Sequence, residues 1–129
     1  MERQFVTYEI AKQLKELGFD ECCLAVYFKD KFQLVKGFNI NNVDLYVADE
    51  FGGILAPVWQ QAIDWFREKY NIYINVEPVT FDDEPTYIFE IIDLKNGRLL
   101  NDINSSFIDP NEAREQAILK ALELCQKEK

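Results

Sequence analysis

Residues Ala56 to Ile74 read APVWQQAIDWFREKYNIYI and gather two tryptophans and a phenylalanine into one short segment. Such a run can serve as a ligand platform, a partner surface or the inside of a small protein, and its spacing helps to separate these uses. Pro57 fits the first turn of a helix, where its missing N–H costs nothing. At about 100° per residue, Leu55, Trp59, Ala62, Ile63, Phe66 and Tyr70 fall within one arc, the expected core face. Gln60, Gln61, Asp64, Arg67 and Glu68 cover the opposite side, with Asp64 and Arg67 spaced to pair. Trp65 belongs to neither set. It lies about 120° from Trp59, beside Val58 on the edge of the apolar stripe. Trp65 therefore either completes the core or anchors an interface, where tryptophan is enriched.

Working downstream, IYINVEPVTF from Ile72 and TYIFEIIDL from Thr86 read as two strands joined through the acidic turn DDEP. Lys95-Asn96-Gly97 is a turn signal, so Arg98 to Ile103 is expected to return as a third strand. Asp109-Pro110-Asn111-Glu112 supplies a cap, a first-turn proline and a capping-box glutamate. The helix it opens runs to about Gln126, with Ala117, Ile118, Ala121, Leu122 and Cys125 on one stripe.

Upstream, Thr7 caps a first helix whose stripe is Ile10, Leu14 and Leu17, with Val6 stapled to Ala11. Gly18 and Phe19 form its stop. CCLAVYF and FQLVK flank the turn Lys29-Asp30-Lys31, a hairpin expected to face that helix. Gly37 to Ile54 is the least regular region, a long functional loop or a connector of low order, within which VDLYV alternates like a short strand. The order α-β-β-loop-α-β-β-β-α predicts a single α+β domain over residues 1–129, with three helices on a mostly antiparallel sheet of about five strands.

Composition narrows the function classes. The chain carries 14 basic and 23 acidic residues, a net charge of −9, and no histidine. That balance disfavours a nucleic-acid backbone and an anionic membrane surface, and favours a cationic partner or none. Double-stranded RNA-binding modules share the α-β-β-β-α order of the second half. They need lysine and arginine where this chain has Asp-Pro-Asn-Glu and Asp-Asp-Glu. Cys22, Cys23 and Cys125 match no metal-ligand spacing and read as reduced structural thiols. The N-terminus has no apolar signal region and no run approaches the ~20 apolar residues of a membrane span, so a cytoplasmic location is expected.

Without histidine the commonest general base is missing, together with the Ser-His and Cys-His nucleophile arrangements. Gly52-Gly53 lacks the lysine of a phosphate loop. No cofactor is expected. One metal reading remains open: Asp93-Leu94-Lys95 at a strand end, with Asp82 or Asp83 upstream and Glu90 nearby, resembles the metal site of restriction-type nucleases. The carboxylates would hold Mg²⁺ and Lys95 would position a water. The simpler reading is a strand running into a tight turn whose polar residues meet solvent. The acidic Asp82-Asp83-Glu84 turn is likewise either a solvated loop tip or a site for a cation or basic partner.

APVWQQAIDWFREKY, together with FVTYEIAKQLKELGFDE near the N-terminus and NEAREQAILKALEL near the C-terminus, resembles a family of small uncharacterised proteins of gut-associated Bacteroides-type bacteria and their phages. The resemblance covers most of the chain, with residues 38–54 the least matched. It implies a bacterial or phage cytoplasmic origin and carries no catalytic residue over. The expectation is a small non-catalytic interaction or accessory protein that binds a protein partner through the Trp65 and Val58 edge and leaves its oligomeric state open. The alternative is a metal-dependent hydrolase using Asp82, Asp83, Glu90, Asp93 and Lys95.

Overall fold

The structure, a computed structural model, describes residues 2–34, 52–81, 83–101 and 106–127. Its elements are α1 (Tyr8–Leu17), β1 (Ala25–Phe28), β2 (Lys31–Leu34), β3 (Gly53–Ala56), α2 (Trp59–Tyr70), β4 (Ile72–Phe81), β5 (Glu84–Asp93), β6 (Arg98–Leu99) and α3 (Pro110–Lys127), after one 3₁₀ turn at Glu2–Gln4. The class is α+β, and among the described residues every strand pairing is antiparallel. The strands form two three-stranded sheets, β2-β1-β3 and β4-β5-β6, rather than the one sheet expected. The chain divides into two compact units, Met1–Gln61 and Ala62–Lys129, described in turn.

In the first unit Thr7 caps α1 as expected. Its backbone is extended (φ −72°, ψ 164°), and its Oγ1 accepts the Ile10 N–H at 3.3 Å. At the other end Gly18 takes φ +102°, so its N–H reaches Lys15 O and the Phe19 N–H reaches Leu14 O at 2.9 Å. This is the double bond of a Schellman stop, with Phe19 buried behind it. Ile10, Ala11, Leu14 and Leu17 are buried along one stripe.

β1 and β2 form the expected hairpin, and β3 adds on the other side of β1, with Val26 opposite Leu55. Leu55 therefore lies in a strand and not on the helix arc. Proline disfavours helical backbone in the residue before it. Ala56 accordingly stays extended, and α2 begins only at Trp59. The N-terminal segment pairs with this junction through Val6 N–H to Pro57 O at 3.0 Å and a Phe5–Val58 bridge. Two side chains lock it further. The Tyr27 hydroxyl donates to Val6 O at 2.7 Å, and the Trp59 indole N–H donates to Arg3 O at 2.8 Å. Burial, with Glu2 nearby, pushes the Tyr27 hydroxyl up to about 12, so it stays a donor at neutral pH.

In the second unit α2 ends at Asn71, whose φ of +55° is the left-handed stop that asparagine tolerates. β4 and β5 then form a ladder from Ile72↔Asp93 to Phe81↔Glu84. The turn is tighter than expected, because β5 starts at Glu84 and includes Pro85. Leu94 N–H bonds Asn71 O, while Asp93 O, Ile91 O and Tyr87 O accept from the β6 side. Antiparallel alternation then turns the N–H positions of residues 78 and 85 away from the β4–β5 ladder. Pro78 and Pro85 occupy those two places, so neither costs a ladder bond.

β6 is only Arg98–Leu99, shorter than the expected Arg98–Ile103 strand, of which residues 102–103 lie outside the described residues. Its work is continued by other groups. Asn101 Oδ1 accepts the Ile91 N–H at 2.7 Å, and its Nδ2 donates to Phe89 O at 3.1 Å. Phe107 then exchanges two bonds with Tyr87 at 2.7 and 2.8 Å.

α3 opens with the expected cap and first-turn proline. Asp109 Oδ1 accepts the Asn111 N–H at 2.9 Å, and Pro110 stands at the first helical position. Ala113, Ala117, Ile118, Ala121, Leu122 and Cys125 are all fully buried. The helix lies against β4 and β5, whose buried face carries Ile72, Ile74 and Ile91. Residues 37–51 of the irregular region, including the VDLYV stretch, lie outside the described residues, and its last residues Gly53 and Ile54 belong to β3.

Candidate functional site

Trp65 is not an exposed anchor. Its side chain is 2% exposed, and its ring meets Phe66 at 5.2 Å and Tyr70 at 5.6 Å in edge-to-face geometry. α2 buries residues 59, 62, 63, 65 and 66, an arc of about 160° by helical arithmetic and wider than one stripe. Val58 is half-buried, and its main chain is engaged with Phe5. The interface edge expected at these two residues is therefore core and junction.

The metal set is not brought together either. Asp83 sits in the β4–β5 turn with φ +66°, whereas Asp93 closes the far end of β5. Nine residue steps separate Glu84 from Asp93, about 30 Å of extended strand. Glu90 and Asp93 are three apart on one strand, so their side chains leave opposite faces. Asp82 lies outside the described residues. Asp93 has a structural task instead: its Oδ1 accepts the Lys95 N–H at 2.9 Å and its carbonyl accepts the Gly97 N–H at 2.7 Å. Among the described residues no group of three metal-binding side chains converges. Asp93→Ala is expected to cost about 1 kcal/mol through the lost turn acceptor. The melting temperatures of both proteins should be equally indifferent to millimolar Mg²⁺. A Mg²⁺-dependent rise in the wild type that Asp93→Ala abolishes would restore the metal reading.

Cys23 is buried, and its Sγ donates weakly to Glu21 O at 3.4 Å. Burial first, then the adjacent Glu21 and Cys22, push its thiol up to about 12, so it carries no nucleophilic thiolate at neutral pH. An open groove of about 400 Å³ lies among Phe89, Leu99, Leu100, Asn101 and Lys120. Among the described residues that line it, Lys120 is the one titratable side chain, and its Nζ stands 3.6 Å from Glu123 Oε1.

What remains is the second face of the β4-β5-β6 sheet. Register places Tyr73, Ile92 and Leu99 side by side across all three strands. Tyr73 is 41% and Leu99 46% exposed, unusual for large apolar side chains set in a row. The next rungs along the same face are Asn75–Glu90, Glu77–Ile88 and Val79–Thr86, all half-buried, with Glu84 exposed at the tip. The Glu77 and Glu90 carboxyls are diagonal neighbours and hydrogen-bond each other. That bond, helped by partial burial and by the charge of Glu77, holds the Glu90 pKa above the ordinary 4.5. The described ladder positions of this face hold three glutamates and no lysine or arginine.

The period-two alternation of Tyr73, Asn75, Glu77 and Val79 against Ile72, Ile74 and Val76 carries the signal for this face. Dividing each expected strand between its two faces was the step that sequence reasoning missed. Among the described residues no helix is long and apolar enough to cross a membrane. No protein-family model, curated protein or solved structure matches the chain.

Proposed function

We propose that this chain is a small non-catalytic protein-interaction domain that presents the Tyr73–Ile92–Leu99 face to a protein partner. The observation that carries the reading is that row of apolar side chains, two of them more than two-fifths exposed, on a sheet already covered by α3 on its other face. The separated carboxylates and the protonated Cys23 thiol favour binding over catalysis. A net charge of −9 favours a protein over a nucleic acid. The resemblance to small proteins of gut bacteria and their phages fits an accessory role in a bacterial cytoplasm, and three cysteines held outside any disulfide suit that compartment.

The test compares wild type with Tyr73→Ser/Leu99→Ser as bait in lysate of the source cell. Both positions are exposed, so the variant is expected to keep its circular dichroism and melting temperature within a few degrees. A protein captured by wild type and lost with the folded variant supports the reading. Equal capture by both removes this face from it.

A further inference from the structure

We infer that the partner docks on this face as a cationic amphipathic helix, with apolar side chains over Tyr73, Ile92 and Leu99 and a lysine or arginine between Glu77 and Glu90. This rests on the reading of the face as an interaction surface and names the chemistry that would occupy it. The dimensions suit a helix. Three strands about 4.8 Å apart span roughly 10 Å, the width of one helix with its side chains. The Glu77 rung lies two rungs, about 13 Å, from the Tyr73 rung, a little over two helical turns. α3 already covers the other face of the same sheet, so the occupant completes a helix-sheet-helix sandwich.

Charge decides between occupants. A second copy placed face to face would bring Glu77 and Glu90 against their own kind. Of the chain's own undescribed segments, residues 35–51 carry one lysine against Asp44, Asp49 and Glu50, and residues 102–105 carry only Asp102. Neither complements the face. An outside cation does, because one ammonium or guanidinium group set between two neighbouring carboxyls can pair with both.

Among the described residues the groups around Glu90 are few. β4 contributes Glu77, Asn75 and Tyr73, β6 contributes Leu99, and its own strand contributes Ile88 and Ile92. A bound cation draws the Glu90 pKa back down, so docking releases a proton. Affinity therefore rises with pH through the interval between the bound and free pKa values and is lost on acidification.

The probe is a fluorescein-labelled 18-residue Leu/Lys amphipathic helix, with a Leu/Gln peptide of the same pattern as its neutral counterpart, read by anisotropy at low ionic strength. Wild type is expected to bind the Leu/Lys peptide and to bind it more weakly as the pH falls. Glu77→Gln/Glu90→Gln should weaken binding about tenfold, the sum of two partly exposed ion pairs. Glu9→Gln/Glu16→Gln, which changes the net charge equally on the exposed side of α1, should leave it unchanged. Equal weakening by both pairs would reduce the effect to bulk charge and overturn the inference. Tight binding of the Leu/Gln peptide that Tyr73→Ser/Leu99→Ser abolishes would keep the interaction face and reject the cationic partner. No binding of the Leu/Lys peptide, or sedimentation showing a dimer that Tyr73→Ser/Leu99→Ser dissociates, also overturns it.

Discussion

Trp65→Ala is expected to lower the unfolding free energy by about 3–5 kcal/mol, the range for removing a large aromatic side chain from a packed interior. The indole is 2% exposed and packed edge-on against Phe66 and Tyr70, so the substitution removes buried area and two aromatic contacts together. Small domains have about 5–15 kcal/mol in total, so the variant should be marginal at 37 °C and melt well below wild type. Urea unfolding followed by circular dichroism measures the loss, and Trp65→Phe, which keeps a ring in place, should recover most of it. A loss under 1 kcal/mol with Trp65→Ala would mean that the ring is peripheral and would return it to the surface.

Trp65 also shows why part of this fold was legible in the sequence and part was not. A helical wheel assumes one buried stripe, and by that rule Trp65 falls outside the core. The rule succeeds where only one side of a helix is covered. In α1 the stripe Ile10, Leu14 and Leu17 is buried, and in α3 the stripe from Ala117 to Cys125 is buried with Ala113 added one turn earlier. Local signals were equally dependable: the Thr7 and Asp109 caps, the Gly18 stop and the Lys95-Asn96-Gly97 turn all act within a few residues of the chain.

Elements that depend on a distant neighbour were not legible. β3 is four residues long, and Leu55 stands four residues before Trp59, a spacing that a helix and a strand-to-helix junction satisfy equally. Only pairing with β1 decides between them. The division into two sheets has the same origin, because strand propensity does not say which strand is whose partner. For the candidate site, the polar and apolar residues of β4 and β5 were visible, but their grouping required the Ile72↔Asp93 register. That one pairing puts Glu90 beside Glu77, sets Asp93 on the other face and strands Asp83 at the far turn.

Asn101 is the clearest case of a role that a sequence conceals. Its side-chain amide stands in for a strand residue, pairing both Ile91 N–H and Phe89 O where β6 has already ended. Asn101→Ala is expected to cost about 2–3 kcal/mol, because it leaves a donor and an acceptor unpaired beside the fully buried Ile91. Amide hydrogen exchange at Ile91 should accelerate together with the loss of stability seen in urea. Asn101→Asp separates the two bonds. Its carboxylate still accepts from Ile91 N–H but sets a negative oxygen against the Phe89 carbonyl, and only the protonated acid can donate there. The folded state thus raises the pKa of the new acid, so the variant loses stability relative to wild type as pH rises through that pKa and regains it on acidification. A pH-independent deficit, or Ile91 exchange unchanged in Asn101→Ala, would mean that the amide is not holding the strand edge. If it does hold it, Asn101→Ala should also weaken Leu/Lys peptide binding without touching the exposed face, because Leu99 stands in its row only while the chain from Arg98 to Asn101 stays paired with β5.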